Sequence, residues 1–219
     1  LLGGPESDSA ETLRLLADEL GAKGSAPVME RKAPDCPDGP VTPKTVGQSI
    51  NRHMPSGGLI SDDGVTASLP VFLATMGAEP HELMMLTGGA IGQGMPLAIG
   101  ASVAKPDAKT ICLTGDGAGM YTVQSLWTMA RENLDVTTIV FVNHSYRILN
   151  IELQRTGAGN PGPAAQSMLN LGTPEIDWVA IASAQGVHAE AVSTAEAFDE
   201  AFKRAMNTKG PKLIAALMG

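Results

Sequence analysis

Short apolar segments alternate with helix-like segments from residue 43 onward, and this alternation restricts the possible folds more than any other feature. The segment VTTIVFVN at 136–143 is almost continuously apolar, as expected of a strand covered on both faces of a parallel sheet. Further strands are predicted at 59–63, 81–89, 109–115, 188–193 and 212–218, with helices at 95–105, 121–133, 175–186 and 195–207. The alternation predicts an α/β fold with a three-layer, doubly wound, mostly parallel sheet.

The first 42 residues have a different character. The segment AETLRLLADEL repeats apolar residues at helical spacing and predicts a short amphipathic helix. We interpret residues 1–20 as the tail of a preceding domain, so we expect the chain to be a fragment or a processed piece. Residues 21–42 carry four prolines and no hydrophobic periodicity, which is typical of a linker. The predicted domain therefore spans residues 43–219.

The chain carries a formal net charge of −8. This balance argues against nucleic acid or an anionic membrane as a partner, and it means that an anionic ligand needs a metal ion or backbone dipoles to bind. No apolar run is long enough to span a bilayer. The two cysteines, Cys36 and Cys112, lack the spacing of a metal site. We therefore expect a reducing, cytoplasmic location and a buried, structural Cys112.

The segment LTGDGAGMY at 113–121 places a glycine-rich turn between an apolar strand and a helix. Backbone N–H groups in such a turn favour an anion, as does the amino end of a helix. Asp116 adds a negative charge to the same turn, which fits a metal ion that bridges carboxylate and anion. Asn143 ends the next strand 27 residues later, so both side chains should leave neighbouring strand ends. Carboxylate and amide oxygens suit Mg²⁺ or Ca²⁺.

The sequence GDG at 115–117, followed by 25 residues and Asn143, resembles the diphosphate-binding motif of the thiamine diphosphate (ThDP) enzymes. The helix LWTMAREN and the upstream loop GGAIGQGMP also resemble that family. Residues 43–219 are similar to the C-terminal cofactor domain (PP domain) of the acetolactate synthase and benzoylformate decarboxylase group. The resemblance implies the ThDP-binding fold, ThDP and Mg²⁺ as cofactors, and decarboxylation or carboligation of a 2-oxo acid.

The resemblance also implies a set of binding residues. Mg²⁺ would be held by Asp116, by the side chain of Asn143 and by the backbone carbonyl of Ser145. The full set implied for the cofactor is Thr66, Gly89, Ala90, Ile91, Gly115, Asp116, Gly117, Ala118, Asn143, Ser145 and Tyr146.

Different residues of this set would contact the two ends of the cofactor. The backbone N–H groups of Gly117 and Ala118, and Thr66 of the segment DDGVT, would contact the diphosphate. Ile91 would prop the cofactor in its bent conformation, and the Gly89 carbonyl and Ile91 N–H would hydrogen-bond the aminopyrimidine. A plain tight turn, with Ile91 as an ordinary core residue, is the alternative interpretation of this loop.

Parts of the family pattern differ or are missing from these 219 residues. Ala118 and Val142 replace residues that are usually polar, although neither change removes a metal ligand. The family's activating glutamate lies on a separate domain that normally comes from another subunit. The resemblance therefore implies that this chain has no catalytic residue and is inactive alone. It also implies a homo-oligomer and a second subunit or domain that carries the glutamate.

Two other functions are compatible with the sequence. The chain could be a noncatalytic fragment or assembly subunit, or an unrelated Mg²⁺-dependent phosphate-binding α/β enzyme such as a phosphatase. A phosphatase needs a nucleophilic aspartate or a second carboxylate near Asp116, which Asp62 or Asp63 could supply. Asp116 could also be no more than a helix N-cap.

The sequence also predicts the surroundings of His144, of two tryptophans and of residues 153–172. His144 is expected to be an exposed loop histidine; the alternative is that it reaches the substrate from its place beside the metal motif. Trp127 and Trp178 fall on apolar helix faces and are predicted to be core residues. Residues 153–172 are rich in glycine and proline, and we expect them to form a mobile loop over the site that contributes to substrate selectivity.

Overall fold

The structure, a computed structural model, describes residues 3–22, 24 and 29–219. Parts of the predicted tail and linker, namely residues 1, 2, 23 and 25–28, lie outside the described residues.

The chain divides into two compact units, Leu1–Glu30 and Arg31–Gly219, and the division falls inside the predicted linker. The first unit contains helix α1 (Ser9–Glu19). This helix begins where the Asp8 side chain accepts hydrogen bonds from two backbone N–H groups of the first turn.

The second unit is built on a six-stranded parallel sheet with the order β2-β1-β3-β4-β6-β5, which confirms the predicted doubly wound α/β fold. The strands are β1 (Gly58–Asp63), β2 (His81–Met85), β3 (Thr110–Gly115), β4 (Val136–Val142), β5 (His188–Val192) and β6 (Lys212–Leu217). The helices are α2 (Pro43–His53), α3 (Ser68–Thr75), α4 (Gly94–Ala104), α5 (Asp116–Gly119), α6 (Ser125–Arg131), α7 (Arg147–Arg155), α8 (Pro163–Leu169), α9 (Trp178–Ala184) and α10 (Ala195–Asn207).

Helices cover both faces of this sheet. Successive residues of a strand point to opposite faces, so Ile139 and Phe141 of β4 pack on one side and Val140 on the other. Residues of α2, α3 and α10 complete the first side, and residues of α4, α6 and α9 complete the second. Strand β4 is therefore buried along its whole length, as its apolar sequence predicted.

Some boundaries differ from the predicted ones. Strand β2 ends at Met85 instead of residue 89, where its pairing with β1 ends. Gly88 and Gly89 lie beyond this end and have φ angles of +63° and +71°, which fall outside the β region. The helix predicted at 121–133 is confined to α6. The helix predicted at 175–186 is the shorter α9, whose N-terminus is capped by the Asp177 side chain.

The prediction that Trp127 is a core residue is wrong, whereas Trp178 is buried as predicted. Trp127 is 53% exposed, and the guanidinium carbon of Arg131 lies 5.4 Å from the centre of its ring. Leu126 and Met129 are the residues of α6 that pack in the core. Neighbouring residues of a helix are separated by about 100°, so the side chain next to Leu126 turns towards the surface.

The two cysteines are free thiols in different surroundings. Cys112 is fully buried in β3, and burial raises the pKa of its thiol, which agrees with a structural role. Cys36 is exposed. Within the part of the chain that the structure describes, no helix combines the length and the apolar character needed to cross a membrane.

Asp199 of α10 connects separate segments of the second unit. Its side chain is 2% exposed, and its Oδ1 accepts a hydrogen bond from Nε of Arg52 (3.2 Å). Its Oδ2 lies 2.9 Å from Nε2 of His53. Arg52 also donates to the Pro34 carbonyl (3.0 Å), so the irregular segment before α2 is held against α2 and α10.

Candidate functional site

A cleft opens at the carboxyl edge of the sheet, where β1, β3 and β4 end. The predicted cofactor residues that line it are Thr66, Ile91, Gly115, Asp116, Gly117, Ala118, Asn143, Ser145 and Tyr146. Gly89 and Ala90 belong to the loop before α4 but not to the lining. Segments that are distant in sequence meet here because parallel strands all end at the same edge of their sheet.

Asp116 follows β3 directly and is 3% exposed. Its Oδ1 accepts the N–H of Gly117 (2.9 Å). Its Oδ2 accepts the N–H groups of Asn143 (3.0 Å) and His144 (2.7 Å) from the segment after β4. Burial raises the pKa of Asp116, and these backbone N–H groups oppose the increase. The carboxylate therefore joins two strand ends and has a fixed orientation.

The segment after β4 is shaped by a tight turn. Asn143 Oδ1 accepts the N–H of Ser145 (2.9 Å), and the Ser145 carbonyl accepts the N–H of Arg147 (2.8 Å). His144, between them, has a φ of +55°, which is uncommon for a residue with a side chain. In this conformation the N–H groups of two successive residues, Asn143 and His144, both reach one oxygen of Asp116.

The Asp116 carboxylate, Asn143 Oδ1 and the Ser145 carbonyl each keep a lone pair that can bind a cation. A carboxylate offers about four lone-pair positions, and Asp116 uses three of them for the hydrogen bonds given above. A carbonyl oxygen offers two lone pairs, and the oxygens of Asn143 and Ser145 each use one. The described residues contain no group of three or more His, Cys, Asp or Glu side chains placed to hold a metal ion. A cation here would thus have one carboxylate and two neutral oxygens from the protein, which suits Mg²⁺ with phosphate and water as remaining ligands.

The turn after β3 is more crowded than the motif suggests. The N–H of Gly117 is engaged by Asp116, so in this structure it is not directed at a ligand. A Cβ on Gly117 would lie 2.6 Å from Cε1 of Tyr146, which shows that the tyrosine ring packs directly on the turn. The N–H of Ala118 is the remaining backbone donor that the motif assigns to the diphosphate.

The turn after β1 brings Thr66 into the cleft. Asp62 Oδ1 accepts the N–H of Gly64 (2.9 Å) and the hydroxyl of Ser68 (2.8 Å), which fixes both sides of this turn. Val65 has a φ of +51°, a strained conformation for a β-branched residue. Strain of this kind is often found at functional sites.

The loop before α4 carries Ile91. This side chain is 37% exposed and lines the cleft, so it is not an ordinary core residue. The Ile91 N–H donates to the Gly89 carbonyl (3.0 Å). The two groups expected to bind the aminopyrimidine therefore pair with each other in this structure.

The arrangement does not favour a phosphatase. The Asp62 carboxylate accepts the N–H of Gly64, and the Asp63 carboxylate accepts those of Gly92 (2.7 Å) and Gly94 (3.2 Å). Neither lines the cleft, so Asp116 is the one carboxylate among the described lining residues. Asp116 is also not the N-cap of α5, since Gly115 occupies that position.

The sequence interpretation missed several lining residues, namely Gly64, Val65, Ala67, Phe141, Arg147 and Ile148. Arg147, the first residue of α7, is the cation among the described residues of the lining, and it forms no ion pair with another described residue. Arg147 begins α7, beyond the end of β4, so no strand-end signal in the sequence pointed to it.

Residues 153–172 are not a plain loop, because they include the last turn of α7 and all of α8. The end of this stretch adjoins the site: the Tyr146 N–H donates to the Leu169 carbonyl (3.0 Å), and the Leu171 N–H donates to the His144 carbonyl (2.8 Å). The His144 side chain is 37% exposed, and its Nε2 lies 3.9 Å from Glu175 Oε1.

Comparison with known proteins points to one family. Residues 69–216 match the family described as "Thiamine pyrophosphate enzyme, C-terminal TPP binding domain". The chain is 44% identical over 207 residues to the "Putative acetolactate synthase large subunit IlvX" of Mycobacterium tuberculosis, covering 94% of this chain and 40% of that protein. It is 29% identical over 213 residues to benzoylformate decarboxylase of Pseudomonas aeruginosa, covering 94% of this chain and 38% of that protein.

A solved structure has the same fold. The ThDP-dependent 4-hydroxybenzoylformate decarboxylase of Rhodococcus jostii superposes with a TM-score of 0.75 and 25% identity, covering 95% of this chain and 39% of that one. The chain thus spans about two fifths of the length of the relatives that it matches.

Proposed function

This chain belongs to the thiamine pyrophosphate enzyme family as a C-terminal TPP binding domain, and we propose that the cleft at the carboxyl edge of its sheet binds ThDP together with Mg²⁺. The observation that carries this proposal is the convergence of Asp116, Asn143 and Ser145 in one cleft, each with unused acceptor capacity. The family match includes all three residues and the loop that carries Ile91.

The proposed metal ligands are the Asp116 carboxylate, the Asn143 Oδ1 and the Ser145 carbonyl. The hydrogen bonds from Asn143 and His144 hold the carboxylate towards the segment after β4, so little reorganisation is needed when a cation binds. Since the chain has a net charge of −8, the cation also offsets the repulsion that a diphosphate would meet.

We propose that the diphosphate contacts the Thr66 hydroxyl, the Ala118 N–H and the Arg147 guanidinium. Gly117 joins this set only if its N–H leaves Asp116. Arg147 adds a positive charge to the cleft, which complements a ligand whose negative charge exceeds the charge of one Mg²⁺.

The apolar part of the cleft would hold and shield the rest of the cofactor. Ile91, Phe141 and Ile148 supply apolar walls that exclude water from the reacting region. The hydrogen bond between the Ile91 N–H and the Gly89 carbonyl would open so that both groups can bind the aminopyrimidine. When bound, ThDP supplies the nucleophilic carbon and the electron sink that decarboxylation of a 2-oxo acid requires.

The complete protein is proposed to be an acetolactate synthase-like or benzoylformate decarboxylase-like enzyme that acts on a 2-oxo acid in the cytoplasm. It would be a lyase if it only decarboxylates the 2-oxo acid, and a transferase if it joins the product to a second carbonyl compound. The chain spans about two fifths of its relatives, which supports a second domain or subunit that supplies the activating glutamate, and a homo-oligomer as the working form. The free thiols of Cys36 and Cys112 agree with a reducing compartment.

Thermal unfolding tests the cofactor site directly. The wild-type chain is heated with Mg²⁺ and ThDP together, with each alone, and with EDTA. A ligand at about 100 times its Kd stabilises the folded state by about 2.7 kcal/mol, which corresponds to a Tm increase of roughly 5–10 °C at this chain length. We expect this increase only with Mg²⁺ and ThDP together, and we expect Asp116→Asn to abolish it.

Asp135→Asn is the matched control. Asp135 lies at the opposite edge of the sheet, just before β4, and pairs with Lys109 (2.8 Å). This variant should keep the ligand-dependent increase. A folded wild-type chain without any increase, or an Asp116→Asn variant that keeps it, would contradict the proposal.

A further inference from the structure

We propose that Asp63 is a positioning residue, whose carboxylate holds the loop before α4 and thereby sets how far Ile91 reaches into the cleft. The inference rests on the proposed function of the cleft and assigns a new role within it. Asp63 is the last residue of β1 and is 1% exposed, and its side chain is not part of the cleft lining. Any effect on a ligand must therefore be transmitted through the loop.

The contact is made by one carboxylate oxygen. Asp63 Oδ2 accepts the N–H of Gly92 (2.7 Å) and the N–H of Gly94 (3.2 Å). Gly94 is the first residue of α4, and Gln93 at the N-cap position turns its own side chain to the Met85 carbonyl (3.4 Å). Asp63 thus caps α4 from a neighbouring strand, where a negative charge is favoured by the exposed N–H groups of the first helical turn.

The same two glycines are held from other sides. The Gly92 carbonyl accepts the hydroxyl of Thr122 (2.7 Å), and the Gly94 carbonyl accepts the hydroxyl of Ser61 (2.8 Å). A Cβ on Gly92 would lie 2.6 Å from Cβ of Tyr121, and a Cβ on Gly94 would lie 2.6 Å from Cβ of Asp63. The loop is therefore packed against its neighbours at these two residues and has no free volume there.

The part of the loop before Gly92 makes fewer contacts with its surroundings. A Cβ on Gly88 or Gly89 would meet no described atom within 4 Å. The backbone bonds there are local, from Ala90 to Thr87 (3.2 Å) and from Ile91 to Gly89 (3.0 Å). Ile91 is adjacent to Gly92, which Asp63 holds, so its position depends more on Asp63 than on the loosely packed Gly88 and Gly89.

Two ligands separate positioning from general stability. Mg²⁺ with inorganic pyrophosphate can use the diphosphate part of the cleft alone, whereas Mg²⁺ with ThDP also uses Ile91. Affinities of the 219-residue chain for both are measured by isothermal titration calorimetry, at a temperature where circular dichroism shows each variant to be folded.

Asp63→Ala removes the acceptor of two buried N–H groups. We expect it to weaken ThDP binding about tenfold, the scale of losing one well-placed aliphatic contact. Pyrophosphate binding should stay within about twofold. Asp63→Asn keeps one oxygen that can accept both N–H groups, so it should restore most of the ThDP affinity. A double variant of Asp63→Ala with Ile91→Ala should bind ThDP no more weakly than Ile91→Ala alone, because both act through one side chain.

Asp199→Ala is the matched control, since Asp199 is also a buried aspartate but lies away from the cleft lining. It should leave the ratio of the two affinities unchanged even though it lowers stability. Should Asp63→Ala fail to fold, Thr122→Val removes the other anchor of Gly92 and is expected to lower ThDP affinity severalfold without affecting pyrophosphate.

The possible outcomes distinguish the two proposals. Equal losses for both ligands, or unchanged ThDP affinity in Asp63→Ala or in its substitute, would overturn the positioning role. A wild-type chain that binds ThDP no better than pyrophosphate would also overturn the positioning role. A wild-type chain that binds neither ligand would overturn the proposed cofactor site itself.

Discussion

Asp63, Asp116 and Asp199 are all buried, but different neighbours surround their carboxylates. Burial raises the pKa of Asp63 and of Asp116, and backbone N–H groups oppose the increase in both cases. Burial also disfavours the ionised form of Asp199, but the hydrogen bond with His53 and the charges of His53 and Arg52 outweigh it and lower the pKa. Of these three aspartates, Asp116 lines the cleft, where a cation would stabilise its ionised form.

Arg147 is the one cation among the described residues of the cleft lining. We expect Arg147→Gln to weaken the binding of ThDP with Mg²⁺ by about three- to tenfold at low ionic strength, because one charge-assisted hydrogen bond to phosphate is lost. The dependence of affinity on salt should also become shallower, since salt screens a partly exposed charge pair. Calorimetric titrations between roughly 0.02 and 0.5 M NaCl would measure both effects.

Arg155→Gln provides the control for this experiment. Arg155 ends the same helix, α7, and pairs with Glu152 outside the cleft (3.2 Å). Its variant should show the wild-type affinity and salt dependence. If Arg147→Gln binds ThDP as the wild type does at every salt concentration, Arg147 does not contact the diphosphate.

At the scale of elements, the contact between α2 and α3 depends on a glycine. A Cβ on Gly47 would lie 2.7 Å from Cβ of Ala74 and 3.0 Å from Cα of Val71, so the two helices approach too closely for a side chain there. Gly100 in α4 is the matched position, because its Cβ would meet no described atom within 4 Å.

These two glycines should respond to alanine with opposite signs. Gly47→Ala is expected to lower the free energy of unfolding by about 1–3 kcal/mol, because overpacking outweighs the better helix propensity of alanine. Gly100→Ala is expected to raise it by about 0.5–1 kcal/mol through propensity alone. Urea unfolding of both variants gives the comparison, and a change of the same sign in both would contradict the close contact between α2 and α3.

The anchoring of the segment before α2 should depend on pH. The pKa of Asp199 is lower in the folded state than in the unfolded chain, where an aspartate has a pKa of ~3.9. The ionised Asp199 carboxylate therefore stabilises the fold at pH values above ~3.9, and this stabilisation is lost as the pH falls through the folded-state pKa. Asp199→Asn should lower the free energy of unfolding by about 2 kcal/mol at pH 7. This difference should shrink below pH 4, as measured by urea unfolding at several pH values. A difference that stays constant down to pH 3 would contradict the role of the ionised carboxylate.

Elements were predictable where the pattern is local. The apolar run of β4 indicated burial on both faces, and the structure has it. The end of β2 was not predictable in the same way, because glycine permits the positive φ angles of Gly88 and Gly89 without requiring them. The face that α6 turns to the core, with Leu126 and Met129, depends on packing. The same orientation explains why Trp127 lies at the surface although its sequence neighbours are apolar.

At the scale of the whole molecule, the chain spans about two fifths of its relatives. Among the described residues of the cleft lining, Asp116 is the one carboxylate, and it is already bound by three N–H groups. We therefore expect no release of CO₂ from pyruvate or benzoylformate by the isolated chain with saturating ThDP and Mg²⁺, even though the cofactor binds. Turnover that disappears in Asp116→Asn would show that the chain needs no glutamate from elsewhere.

The sequence alone determined the fold class and the meeting of Asp116 with Asn143, because apolar periodicity and the common carboxyl edge of parallel strands are properties of local pattern and strand order. The tertiary structure alone decided which polar groups are already occupied. It pairs Asp63 with Gly92 and Gly94, places Arg147 in the cleft, and engages the N–H of Gly117. These partners depend on how each helix and loop packs on the sheet, and no short-range pattern in the sequence encodes that packing.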